Sequence, residues 1–272
     1  MVTIEDVRAA IQQLELSEQA VCVHSSLRSF GQVVGGADTI VDGWLAEGCT
    51  VLVPTFAYAF AIAPPLNMRP PRNGWDYDML VERYEWGIDQ VYTPERNEID
   101  RSMGAIPAAV LARSERVRGD HPLNQFAAIG LLAHDLIDAQ TPIDVYAPFR
   151  KLIERDGFVV MMGVSYTNMT LLHYAEELAG RTLFRRWAND RAGQPTMVAV
   201  GSCSEGFDRF APFLDPIKRT ATVGSSTWAI FPARATIDAA VQAIRRDSSI
   251  THCADPDCER CNDAVAGGPI LA

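Results

Sequence analysis

Apolar and polar positions fall into short blocks whose period changes along the chain. Ile4, Val7, Ala10, Ile11 and Leu14 recur at helical spacing behind Thr3, a residue suited to an N-cap, and predict a helix over 4–14. Ala20-Val21-Cys22-Val23 is a continuous apolar run, read as a short buried strand, and it enters a polar, glycine-ended loop over 24–31. A helix over 37–47 and a strand over 50–54, closed by Pro54, come next. Helices are predicted over 103–114, 131–139, 148–155 and 170–180, and strands over 126–130 and 158–163. The strand over 158–163 is apolar throughout, as a central strand covered on both faces should be. Weaker strand patterns lie at 195–200, 221–223 and 228–231, and helices at 204–214 and 234–246. Short strands alternating with helices predict an α/β fold, with three layers around a central mixed sheet.

One stretch breaks the alternation. Residues 56–100 carry Pro64-Pro65, Pro70-Pro71, Asn73-Gly74 and many aromatics, among them Phe56, Tyr58, Phe60, Trp75 and Tyr92. A loop of this length in a compact domain usually serves function, and this one is too aromatic for a linker. It reads as an insertion that forms a lid or pocket wall, with local helix near 78–86. The chain reads as one domain over 1–272, with 250–272 a cysteine-containing tail.

Charge narrows the partners. With 24 Lys and Arg against 34 Asp and Glu the net charge is −10, which argues against a nucleic-acid backbone as ligand and suits a cationic small molecule. No apolar run is long enough for a membrane helix, and the N-terminus carries Glu5 and Asp6 where a signal peptide carries bases, so a cytoplasmic protein is expected.

Four segments hold candidate chemistry. In the helix over 170–180, Leu171, Leu172, Ala175, Leu178 and Ala179 form an apolar arc, while Thr170, His173 and Glu176 share the other side. A histidine with a carboxylate one turn on is the minimum for an oriented general base. The alternative is the wet face of a surface helix. Arg118-Gly119-Asp120-His121-Pro122-Leu123-Asn124-Gln125 packs polar groups into one loop, as functional loops and ordinary turns both do. His24-Ser25-Ser26-Leu27 followed by Gly35-Gly36 at a helix start suits an anion cradle or, more blandly, a turn. It is neither a Walker loop nor a dinucleotide fingerprint, and the chain has no Gly-x-Ser-x-Gly elbow. Finally, Cys258-x-x-Cys261 could join Cys253 or His252 on a zinc ion. No second cysteine pair accompanies it, and Cys22, Cys49 and Cys203 are scattered, so a reduced, packed turn is favoured over a metal site.

Taken in order, several segments resemble the aminoglycoside N3-acetyltransferase family. They are Val23-His24-Ser25-Ser26-Leu27 with Gly31 and Val34-Gly35-Gly36-Ala37, Leu52-Val53-Pro54-Thr55-Phe56, Met103-Gly104-Ala105-Ile106-Pro107, Arg118 with His121-Pro122, Ala147-Pro148, Gly157 to Gly163, and Thr170-x-x-His173-x-Ala175-Glu176. The resemblance implies a three-layer α/β/α fold and acetyl-CoA as co-substrate, with no metal in the reaction. It implies His173 as the base that deprotonates an acceptor amine, supported by Glu176. It places CoA along His24, Ser25, Ser26, Leu27, Arg28, Val34, Gly35 and Gly36, with Ser102, Met103 and Gly104 in the same cleft. Arg118, Asp120 and His121 would edge the site. Acceptor contacts are expected from Asp120, His121, Thr170, Tyr58 and Asp76, with Asp78, Glu82 and Glu85 as further acids. The partner would be a cationic amine, and the protein a monomer or homodimer. Acyl transfer to an amine other than an aminoglycoside, and CoA binding without turnover, stay open beside this reading.

Overall fold

The computed structural model describes residues 1–77, 87 and 89–271. In chain order the elements are α1 (Ile4–Gln13), β1 (Ala20–Ser25), α2 (Ala37–Ala46), β2 (Thr50–Pro54), α3 (Ala105–Leu111), β3 (Val117–Arg118) and β4 (Phe126–Ile129). Next come α4 (Ala133–Ile137), α5 (Ala147–Glu154), β5 (Phe158–Met162), α6 (Leu171–Leu178), β6 (Phe184–Asn189) and β7 (Pro195–Val200). The chain closes with α7 (Ala211–Leu214), β8 (Arg219–Val223), β9 (Ser226–Pro232), α8 (Ala233–Arg246) and α9 (Glu259–Val265).

Seven strands form one sheet in the order β3-β4-β2-β1-β5-β9-β8. β1 pairs parallel with β2 and with β5, and the outer neighbours β4 and β9 run antiparallel, so the sheet is mixed. Side chains of β1 alternate between two cores, as the two-residue period of a strand requires. Val21 and Val23 pack with Val7, Ile40, Trp44, Ile106 and Val110 of α1, α2 and α3. Ala20 and Cys22 pack with Leu136, Phe149, Leu172 and Ala240 of α4, α5, α6 and α8. The result is the three-layer arrangement that the alternation predicts. Trp44 stacks on Trp228 at 5.5 Å between ring centroids and locks α2 onto β9.

Three parts depart from the pattern reading. β6 and β7 form a separate antiparallel pair, and β6 is not legible because Arg185 and Arg186 interrupt its apolar alternation. The Arg186 guanidinium lies 3.4 Å from the Trp75 ring centroid, so a charged position faces an aromatic wall rather than water. The helix expected over 204–214 breaks into a 3₁₀ turn at Phe207–Phe210, the four residues of α7, and a 3₁₀ turn at Asp215–Ile217. Pro212 and Pro216 lack the N–H groups a longer helix needs. The helix expected from Met103 begins at Ala105, because Gly104 sits at φ +90°, a left-handed conformation that interrupts regular winding. The local helix expected near 78–86 lies outside the described residues. Around it, the insertion is tied to β6: Ile62 N–H donates to Trp187 O at 2.9 Å, and Asn73 Nδ2 to Arg185 O at 2.7 Å. Among the described residues no helix is long and apolar enough to cross a membrane.

Candidate active site

A cavity of about 1080 Å³ opens at the carboxyl ends of β1 and β2, where open α/β sheets place their ligands. His24 and Ser25 of β1, Pro54 of β2, Ser102 and Met103 before α3, Thr170 and His173 of the α6 region, and Tyr58 and Asp76 of the insertion all line it. The sequence-expected acceptor and CoA residues that meet here therefore come from four separate segments. Leu27, Arg28, Val34, Gly35 and Gly36 do not line the cavity. They belong to the loop from β1 to the start of α2, where Gly35 and Gly36 adopt φ of +77° and +68°. Ser26 caps the 3₁₀ turn after β1 and is fixed by its N–H donating to Met162 O at 2.9 Å. Gly104 adjoins the cavity wall: a Cβ there would lie 3.8 Å from Ser25 O.

The helix α6 carries the most ordered chemistry. His173 and Glu176 are buried, not on a wet face, because Ser202 and Arg181 cover Glu176 and the Tyr146 and Phe207 rings flank His173. His173 Nδ1 lies 2.7 Å from Glu176 Oε2, one helical turn away. That bond assigns the Nδ1–H tautomer and leaves the Nε2 lone pair available; no described residue hydrogen-bonds it. Glu176 is in turn held by Arg181 Nη1 at 2.6 Å and by the Ser202 hydroxyl at 2.9 Å. Arg181 is anchored by Thr251 Oγ1 at 2.7 Å and Ser248 O at 2.5 Å. Burying a carboxylate is costly unless it is paired and hydrogen-bonded, and Glu176 has three such partners in His173, Arg181 and Ser202. Tyr146 stacks along the imidazole at 6.5 Å, and the Phe207 ring approaches to 4.7 Å. Gly201 completes the seat: a Cβ would stand 2.7 Å from the imidazole carbons and 2.6 Å from the Tyr146 hydroxyl. The sequence reading missed Arg181, Ser202, Tyr146 and Gly201, which carry no local spacing signal relative to His173.

The wall on the β1 side is different. Burial pushes His24 down to about 4, so its ring is neutral at pH 7, and its Nε2 lies 3.7 Å from Cys22 Sγ. Ser25 Oγ is buried with no hydrogen-bond partner among the described residues. An orphaned hydroxyl in a cavity wall is a polar contact waiting for a ligand. Carboxylates outnumber guanidinium groups among the described lining residues: Asp76, Asp100, Glu205 and Glu259 against Arg186 and Arg260.

The loop over 118–125 has no place in that cavity except through Leu123 and Asn124. Arg118 donates to Thr55 O, Arg96 O and Glu98 O at 2.6–2.8 Å and clamps the end of the insertion. His121, expected to contact the acceptor, is wholly buried: Nδ1 accepts from Leu123 N at 3.1 Å and Asn124 N at 2.8 Å, and Nε2 donates to Ala199 O at 2.8 Å. Both nitrogens are spent on the backbone, so its geometry supports the loop and not a ligand. Asp120 is exposed and pairs with Arg191 at 3.0 Å, away from the cavity lining. Asp78, Glu82 and Glu85 lie outside the described residues.

The tail differs from its expected form in one respect. Cys203, read as a scattered core residue, joins Cys253, Cys258 and Cys261, and the four sulfur atoms all lie within 4.8 Å of one another. His252 is not among them; its ring nitrogens face Cys253 O and Asn262 Oδ1, each at 2.9 Å.

Comparison with known proteins agrees with this architecture. Residues 22–245 match the family model described as aminoglycoside 3-N-acetyltransferase. The chain is 31% identical over 163 residues to aminoglycoside N(3)-acetyltransferase VIII of Streptomyces fradiae, covering 58% of this chain and 54% of that protein. It therefore spans about half the length of that relative. Among solved structures, the AAC(3)-IVa apoenzyme superposes with a TM-score of 0.77 at 21% identity, covering 98% of this chain and 97% of that one. AAC-IIIb in a binary complex with CoASH gives 0.74 at 22% identity, covering 90% and 96%. These two likenesses concern the fold; the family assignment rests on the 22–245 match, which takes in most of β1, all of β2, β5 and α6, and most of the cavity lining. By that match the chain belongs to the aminoglycoside 3-N-acetyltransferase family.

Proposed function

We propose that the protein transfers an acetyl group from acetyl-CoA to the 3-amino group of an aminoglycoside, by direct attack with His173 as general base. The observation that carries the reading is the His173–Glu176 bond of 2.7 Å, with Nε2 left over at the wall of a large, acid-rich cavity. The family match supports the reaction class, and the CoASH complex of a protein of the same fold supports the co-substrate.

The chemistry follows from the site. An amine is protonated near pH 7 and attacks no carbonyl until it loses a proton. His173 Nε2 accepts that proton as the amine nitrogen bonds to the acetyl carbon. The carbonyl carbon–sulfur bond then breaks, and the second proton on the adduct nitrogen passes to the departing sulfur. CoA leaves as the thiol, the product is the neutral amide, and the imidazolium returns its proton to solvent. Glu176 balances the imidazolium formed in this step and holds the ring at one orientation, with Arg181 and Ser202 holding Glu176. No side chain need form a covalent intermediate, because holding both reactants in one cavity removes much of the entropic barrier. The Ser25 hydroxyl and the Ser102–Met103 segment would contact the co-substrate, and Asp76, Asp100, Glu205 and Glu259 favour a polycationic acceptor.

A thiol-release assay with acetyl-CoA tests this, using aminoglycosides with and without a 3-amine, and simple amines. Turnover confined to the 3-amine compounds is expected. Turnover on simple amines alone would move the assignment to a different acceptor.

A further inference from the structure

We infer that Cys203, Cys253, Cys258 and Cys261 together bind one zinc ion, in a closed structural site that braces the acceptor wall of the cavity. Zinc held by four thiolates has Zn–S bonds of about 2.3 Å, which sets tetrahedral sulfur–sulfur separations at roughly 3.8 Å. The four sulfur atoms here already lie within 4.8 Å of one another, so a small rotation of side chains closes the shell. The backbone is arranged for it. Cys258 and Cys261 flank the start of α9, and Cys253 N–H donates to Cys261 Sγ at 3.3 Å, the kind of outer hydrogen bond that steadies a thiolate ligand. All four cysteines are reduced and none is paired in a disulfide. Four sulfur ligands leave no open position, so the site is structural and takes no part in acetyl transfer.

What the ion would hold is specific. Cys203 follows β7 and stands two residues beyond Gly201, whose bareness lets the imidazole of His173 sit close. The other three ligands lie in the tail, about fifty residues on. A shared ion would therefore tie the tail to the turn that carries Ser202, a ligand of Glu176. Glu205, Glu259 and Arg260 line the cavity, and each lies within two residues of one of these cysteines. The sequence reading counted three ligands and no second pair; the fourth ligand comes from a lone cysteine that only the fold delivers.

The test uses the full chain, expressed with zinc in the medium and purified without chelators. Elemental analysis should give about one zinc per chain, falling at least tenfold in Cys203→Ser and in Cys258→Ser. To guard against misfolding of either variant, the zinc-free wild type is titrated with Co²⁺. A one-equivalent endpoint with thiolate charge-transfer and tetrahedral ligand-field absorption is expected. Wild type without zinc that also fails to take up Co²⁺ would overturn the site, as would full metal content in a folded Cys203→Ser variant. The bracing role rests on the proposed reaction and is read separately: zinc removal should raise the KM for the acceptor and leave the Kd for acetyl-CoA unchanged. An unchanged acceptor KM in the zinc-free protein would limit the ion to holding the tail.

Discussion

Two segments of this chain each carry a buried histidine, and they are built for opposite ends. In the loop over 118–125, both nitrogens of His121 are used by backbone groups, and burial pushes the ring down to about 4. In α6, one nitrogen of His173 faces a carboxylate that two further side chains hold, and the other nitrogen is unspent at a cavity wall. Burial is nearly the same for both, at 0% and 8% exposed. What separates the two histidines is therefore the partner set, not depth: only His173 has the partners a general base would need. Burial lowers the His121 pKa, and among the described residues no carboxylate pairs with its ring, whereas Glu176 Oε2 stands 2.7 Å from His173 Nδ1.

This contrast can be broken first at its strongest point. His173→Ala should lower kcat by roughly 10²–10⁴-fold, the usual worth of a positioned acid–base group, with the acetyl-CoA Kd unchanged by calorimetry. Near-normal turnover would remove the imidazole from the mechanism. Glu176→Gln strips the anion from a buried pair with Arg181, and losses of this kind cost about 3–5 kcal/mol of stability, read by urea unfolding. Its turnover should fall as well, since the imidazolium loses its counter-charge.

His121→Ala should behave differently. Leu123 N, Asn124 N and Ala199 O lose their partner, costing about 1–3 kcal/mol, and the fall in activity should follow the folded fraction. The sign of its pH effect is fixed. The folded-state pKa lies below the unfolded value of about 6.5, so the unfolded chain binds the proton first. The stability tied to neutral His121 is complete above about pH 6.5 and is lost as pH falls towards 4. The variant should show a shallower decline than wild type in that window, and parallel declines would remove His121 from the account. The smallest effect is expected at Asp120. It forms an exposed pair with Arg191, so Asp120→Asn should change stability by less than about 0.5 kcal/mol and leave the acceptor KM unaltered.

Much of the sheet was legible because each central strand is a short apolar run with turn residues at its ends. β1, β2 and β5 supply the parallel centre, and their carboxyl ends locate the cavity. The His173–Glu176 pair was legible because three-residue spacing on a helix makes neighbours. Its surroundings were not. Arg181, Ser202 and Gly201 reach the pair through tertiary packing, and no local period marks them. The opposite error occurred at Asp120 and His121, where a dense polar loop reads like a site until its hydrogen bonds are traced. β6 was lost for a third reason: Arg186, which packs over aromatic rings, and Arg185, which turns back onto backbone carbonyls, look like exposed charges in sequence.

The most direct test of the central claim is the pH dependence of single-turnover acetyl transfer at saturating substrates, in wild type and in His173→Ala. If Nε2 takes the amine proton, the wild-type rate rises with pH through a single ionisation, and that limb disappears in the variant along with most of the rate. A variant that keeps the same limb at a comparable rate would contradict the account and send the search for the base elsewhere in the cavity.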